Sequence, residues 1–256
     1  MSYFLETLKK RNALLYRFGW LCLAGTFVCA ILALATNVQV LGINAFIKPM
    51  KFFVSITIFC WTMSWYTGYL SPTRTITIYN WVVVVAMAIE LIIITGQATL
   101  GKLSHFNVNS ALDGMLFSIM GIAITVLTGW TGYIGYLFFR LHTPQLSASY
   151  LWAIRIGILT FVVFAFEGFM MATRLGHTVG APDGGAGLPI LNWSTRYGDL
   201  RIGHFFGMHA LQLIPLFGYY IARRPIQVFL FTTVYIGVVS FLLLEALGAR
   251  PLLSGL

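Results

Sequence analysis

Seven acidic residues occur in this chain of 256, and four of them fall in or at the edges of long apolar stretches. A charge at mid-membrane costs about 2.5–3.5 kcal/mol even on the mildest scale, so each such residue needs a reason. Glu90 and Glu167 each stand seven residues before the end of an apolar stretch, roughly 10 Å below its boundary by helical rise. His209 lies about six residues into another stretch, ~9 Å deep by the same arithmetic. Asp113 and Glu245 sit nearer stretch ends. Carboxylates and imidazoles gathered at one depth can hold a metal ion or pass protons, the two chemistries those side chains share.

Neighbouring residues extend this polar layer. Gln97 follows Glu90 by seven and Arg174 follows Glu167 by seven, so each pair shares a helix face. Gln212 follows His209 by three, on the same side. His204 and His209 are five apart, which turns them by about 140° on a straight helix and keeps one helix from aiming both at one ion. Ser104, His105 and Asn107 precede Asp113, and Lys48 and Lys51 bracket Pro49 and Met50 as a counter-charge pair. His142 and His177 lie at stretch ends with no carboxylate close by in sequence and are expected to be solvated.

The leading expectation is a metal or haem site. His105, His204 and His209 are the candidate ligands, Glu90, Glu167 and Asp113 the candidate catalytic carboxylates, and Lys48, Lys51, Arg174 and Gln212 candidate cofactor-binding groups. With zinc, a bound water would be acidified and a carboxylate would shuttle its proton, giving a hydrolase. With haem, His105 paired with His209 or His204 would ligate iron, giving an oxidoreductase. No ExxH spacing supports a di-iron site, and no CxxC or CxxCH supports a zinc ribbon or covalent haem. The alternatives are a proton- or ion-coupled transporter using Glu90 and Glu167, or an accessory subunit whose polar layer only joins helices. Ser104-His105, Asp113 and the His204/His209 pair together resemble, at a handful of positions, the seven-helix alkaline ceramidase and adiponectin-receptor superfamily of membrane hydrolases. That resemblance implies zinc-dependent amide or ester hydrolysis. The chain departs from it in spacing its histidines five apart on the sixth stretch, where the family has a pair four apart on its last helix.

The elements that must position these residues follow from composition. Hydrophobic residues make up 59% of the chain and charged ones 9%, against about a quarter charged in soluble domains. A bilayer core needs about 20 apolar residues of helix. Spans are expected at 14–36, 50–70, 77–97, 111–139, 150–174, 203–222 and 226–248, as a single domain over 1–256. Continuous apolar runs such as Trp81 to Ile94 exclude the alternating strands of a barrel. The expected fold is therefore an all-α integral membrane protein, a bundle of seven transmembrane helices.

Nine basic residues against seven favour a cytoplasmic N-terminus and an outside C-terminus. Trp65, Tyr66, Tyr69, Tyr79, Trp81, Tyr133, Tyr136, Tyr150, Trp152, Tyr219 and Tyr220 form the matching inner aromatic belt. The first span has the basic start of a signal peptide, but its apolar run is long for one and is read as a retained helix. The net charge of +9 then serves topology and anionic-lipid contact, not nucleic acid. The protein is expected in the bacterial inner (plasma) membrane, its partners being the bilayer and a small-molecule or lipid-like substrate, with the site opening to the extracytoplasmic side. Cys22, Cys29 and Cys60 all lie inside spans and read as packing residues. The one long connection, 176–202, carries Pro189, Leu191 and Trp193 among its glycines and suits a lid on the outer face. Gly203 and Gly207, with Gly129, Gly132 and Gly135, mark close helix approach and faces through which copies could associate.

Overall fold

The computed structural model describes residues 2–252. Its chain is helical apart from connections and two short antiparallel ladders. Two compact units divide it, Met1–Trp130 and Thr131–Leu256. Five helical segments are long and apolar enough to cross a membrane: Ala13–Ala35, Arg74–Thr99, Ala111–Arg140, Ala148–Arg174 and Pro225–Leu247. Two more long helices, Ile47–Thr67 and Leu200–Tyr220, occupy the expected positions of the second and sixth spans. They carry Lys48 and Lys51, and Arg201, His204, His209 and Gln212, respectively, which is why their composition is less apolar. The protein is thus an all-α, membrane-like, polytopic helical protein.

In the first unit, α1 (Ser2–Arg11) and α2 (Ala13–Ala35) meet at Asn12, and both pack on α3 (Ile47–Thr67), which also packs on α4 (Arg74–Thr99). Asn12 caps α2 by accepting from the Leu15 amide at 3.2 Å. Its side-chain amide donates to Thr67 Oγ1 and Asn80 Oδ1, both at 2.9 Å. One buried side chain thereby ties the α1–α2 junction to α3 and α4, and its satisfied hydrogen bonds offset the cost of burying it. A two-residue hairpin, β1 (Gln39–Val40) with β2 (Ile43–Asn44), joins α2 to α3. Its turn residues Leu41 and Gly42 have φ of 52° and 76°, as a tight primed turn requires. Asn44 then donates to the Ala33 and Thr36 carbonyls at 3.0 and 2.7 Å, satisfying the end of α2.

The unit boundary falls within α5 (Ala111–Arg140). In the second unit, Arg155 of α6 (Ala148–Glu167) donates to the Phe138 and Leu141 carbonyls at 2.9 and 3.1 Å, closing the last turn of α5. The helix α6 ends at Gly168 and restarts as α7 (Phe169–Arg174), so the expected continuous span 150–174 is broken directly after Glu167. A lone glycine in an apolar run is a weak breaking signal, so the pattern did not reveal this break. Helix α8 (Leu200–Tyr220) packs along α6, and both contact α9 (Pro225–Leu247).

Small residues set these approaches. Gly157 of α6 faces the Ala210 carbonyl and the ring of Pro215, the proline inside α8. Gly203 faces Leu243 of α9 and Gly207 faces Phe164 of α6, so the two glycines of the GxxxG spacing serve different neighbours within one unit. A Cβ at Gly207 would overlap the Cβ and ring of Phe164. Gly207→Ala should therefore cost about 1–3 kcal/mol of stability, whereas Gly237→Ala, whose Cβ would meet nothing within 4 Å, should not lower it; thermal unfolding in detergent compares them.

Candidate functional site

Each unit buries a glutamate of the expected polar layer against a histidine. In the first unit Glu90 projects from α4 and is almost fully buried. The facing histidine is His105, carried by the 101–110 connection, with Nε2 3.8 Å from Glu90 Oε2. Two things position that imidazole. Ser104 Oγ lies 3.2 Å from its Nδ1, and the rings of Phe52, Phe106 and Phe117 surround it with centroids 5.6, 6.0 and 6.2 Å away. Phe106 adopts φ 60°, a left-handed conformation rare for a side chain of that bulk, and so turns its ring onto both His105 and Phe117. Burial pushes the His105 imidazole well below its ordinary range, and the Lys48 ammonium adds to that. His105 is therefore neutral at neutral pH. If Ser104 donates to Nδ1, Nε2 carries the hydrogen and faces the carboxylate. Lys48 acts electrostatically on Glu90 as well.

Asp113 lies in the same unit but is held by other groups. It accepts from Gln97 Nε2 at 2.9 Å and from Ser110 Oγ at 2.8 Å, and Lys102 Nζ lies 3.4 Å away. Its own amide donates to Ser110 Oγ, which caps α5. Gln97 is thus bonded to Asp113 through its amide nitrogen, while its Oε1 has no hydrogen-bond partner among the described residues.

In the second unit Glu167 is the last residue of α6, immediately before the Gly168 break. Its Oε2 lies 3.0 Å from His204 Nδ1 of α8. Gly168 makes room for this contact, because a Cβ there would come within 3.0 Å of His204 Cε1. One turn further along α8, His209 Nδ1 lies 2.8 Å from the Phe205 carbonyl. A carbonyl only accepts, so Nδ1 carries the hydrogen and Nε2 is the free ring nitrogen. The Phe205 ring covers His209 with centroids 4.1 Å apart, and Trp193 covers Phe205 at 5.4 Å. His204 and His209 accordingly have different partners, as their five-residue spacing predicts. Arg174 is exposed at the end of α7 and Gln212 is half-buried in α8; in the first unit, Lys48 and Lys51 are half-buried in the first turns of α3.

The long connection is ordered as a strap. Its ends pair as β3 (Thr178–Val179) with β4 (Gly198–Asp199), and Gly187 bridges Ser194 near its tip. His177, expected to be solvated, has only 15% of its side chain exposed and sits 3.1 Å from Asp183 and 4.0 Å from Asp199. Arg201 donates to both Asp199 oxygens, at 2.9 and 2.6 Å, and to the Asn192 carbonyl. Sequence reasoning missed this cluster because its members meet only once the strap has folded, and no spacing within 177–201 announces a helix face or metal motif. Gly198 lies tight against the Ala246 backbone of α9 and Gly180 against Ala249, so the strap is seated on the unit through both sides of its ladder.

Among the described residues no group of three or more His, Cys, Asp and Glu side chains is placed to hold a metal ion. Comparison with protein-family profiles, with curated proteins and with solved structures finds no match to the chain. The chemistry open to the arrangement is that of the two imidazole–carboxylate pairs and of the free His209 nitrogen.

The strap has a titration of its own. Burial pushes the Asp199 carboxyl up, but the hydrogen bond and charge of Arg201, the Ser194 amide and His177 outweigh that and hold it below the usual carboxylate range. An aspartate with a depressed folded pKa stabilises the fold above its ordinary value, 3.8 here, and loses that contribution as pH falls through the folded value. Thermal stability in detergent should therefore carry an Asp199-dependent loss confined to pH below about 4, and this acid-side loss should be absent in Asp199→Asn, whose stability is already lower at neutral pH.

Proposed function

We propose that the chain is a proton-coupled membrane carrier in which Glu90 and Glu167 exchange protons beside His105 and His204. One observation carries the reading: each intramembrane glutamate faces a histidine and keeps one buried carboxylate oxygen, Glu90 Oε2 and Glu167 Oε1, without a hydrogen bond among the described residues. A purely structural buried carboxylate is usually fully hydrogen-bonded, since an unsatisfied oxygen forfeits its solvation for nothing. An oxygen with a spare lone pair beside an imidazole is instead suited to receiving a proton. Because His105 is held neutral, a proton entering the first pair resides on Glu90. In this reading α3 and α8 also cross, giving seven spans with the N-terminus cytoplasmic, the C-terminus outside, and both pairs in the extracytoplasmic half of a plasma membrane. Infrared difference spectra of the reconstituted protein across a pH titration should contain a carboxylic-acid carbonyl band, one part lost in Glu90→Gln and the other in Glu167→Gln. Spectra without any carboxyl change assignable to these two residues would defeat the reading.

His209 supports a second reading, the metal or haem enzyme. A ligating histidine commonly donates its other ring hydrogen to a carbonyl or carboxylate, which orients the ring and strengthens the ligand. His209 does this toward Phe205, and His204 presents the same ring nitrogen to Glu167. Zinc held there would activate water for hydrolysis, and haem iron would carry electrons. On this reading detergent-purified protein contains stoichiometric zinc or iron by elemental mass spectrometry, and His209→Ala loses it while still inserting. Full retention of metal in His105→Ala, His204→Ala and His209→Ala alike would exclude these ligands.

A further inference from the structure

The 101–110 connection has two roles. His105 faces Glu90 with Ser104 at its ring, while Leu103 and Asn107 line an open depression of about 510 Å³. Small-molecule sites commonly enclose ~300–1,000 Å³, so this one has room for a compact solute. The hairpin residues Gln39 and Leu41 also line it, with Lys102, Asn109 and Asp113 as its further polar lining.

The charges of that lining are unevenly engaged. Both oxygens of Asp113 already accept hydrogen bonds at 2.8–2.9 Å, from Ser110 and Gln97. Lys102 approaches them only at 3.4–3.5 Å, with 47% of its side chain exposed. A well-formed ammonium–carboxylate hydrogen bond is shorter, about 2.7–2.9 Å. Lys102 is thus a loosely held cation that can turn to an incoming anion without leaving a buried carboxylate unsatisfied. Once it turns, the remaining lone pairs of Asp113 and the side-chain carbonyls of Gln39 and Asn109 are acceptors for an ammonium group. Leu41 and Leu103 add apolar surface to the same lining.

We propose that this depression binds a small zwitterion, a primary ammonium joined by a short chain to a carboxylate or a phosphate. Its anionic end meets Lys102, its ammonium end meets Asp113 and the amide oxygens, and its chain lies against Leu41 and Leu103. The same chemistry is offered by a free amino acid and by a phosphoethanolamine headgroup. The site does not depend on either glutamate carrying a proton, so it and the carrier reading fail separately.

The test is scanning fluorimetry of the full chain in detergent. The probes are leucine and glycerophosphoethanolamine, with acetate and ethylammonium at matched ionic strength as singly charged controls. At least one zwitterion should raise the unfolding temperature saturably, beyond either control. Lys102→Met should weaken the apparent affinity by about tenfold or more, and Lys102→Arg should retain most of it. A response to leucine alone assigns the site to free amino acids, and one to glycerophosphoethanolamine alone assigns it to a headgroup. Lys102→Gln provides a second neutral variant should Lys102→Met not fold. The proposal is overturned if neither zwitterion acts, if the controls act equally, or if the response survives unchanged in the neutral Lys102 variant.

Discussion

A carboxylate within an apolar helix must find a polar neighbour, and the local structure around Glu90 and Glu167 is organised by that need. A helix supplies no such partner, because its own backbone groups are already paired. The partner therefore comes from elsewhere in the unit, and the backbone has to be arranged to deliver it. Around Glu167 this takes the form of a helix break: Gly168 ends α6 and leaves space for the His204 ring, which approaches from α8 to 3.0 Å. Around Glu90 a connection does the same work. His105 is brought in from outside α4 and held by three phenylalanine rings, one of them on a residue with a left-handed backbone.

The two pairs nevertheless differ in a way that bears on chemistry. At 3.0 Å, His204 and Glu167 are within hydrogen-bond distance, so a proton can be shared without movement. At 3.8 Å, His105 and Glu90 are not, so transfer between them needs a small shift of the 101–110 connection or a bridging water. A neutral His105 also cannot compensate a negative Glu90 by charge; Lys48 is the cation that acts on it. Residues of α3, α4 and one connection thus share control of a single carboxyl group.

Much of this was legible in the sequence because depth in a membrane helix is arithmetic. Counting from span ends singled out Glu90, Glu167 and His209, and named no histidine as the partner of either glutamate; His204 and His209 do have different partners, in keeping with their five-residue spacing. Partner choice was not legible, because rotation about a helix axis is set by packing. Asp113 carries the same functional group as Glu90, yet Gln97, Ser110 and Lys102 surround it at the start of α5. The strap gave least warning of all. His177 has no carboxylate within five residues, and its contacts with Asp183 and Asp199 depend on a ladder only two residues long. The Gly168 break was hidden for a related reason, since one glycine in an apolar run is compatible with an uninterrupted helix.

The small residues show why pattern and packing must be read together. A GxxxG spacing alone suggests one flat face against one partner. Gly203 and Gly207 instead admit Leu243 of α9 and Phe164 of α6, so α8 is held from two directions. That restricts how α8 can shift or rotate, and His204 and His209 are fixed with it. Phe205, between them in sequence, carries the constraint to the strap: its ring lies under Trp193 and over His209. Moving Trp193 would uncover the Phe205 ring, while His209 stays covered by Phe205 from its own helix. The cover over His209 and the geometry of the Glu167–His204 pair therefore rest on different residues, the first on Phe205 of α8 and the second on the room left by Gly168 and Gly207.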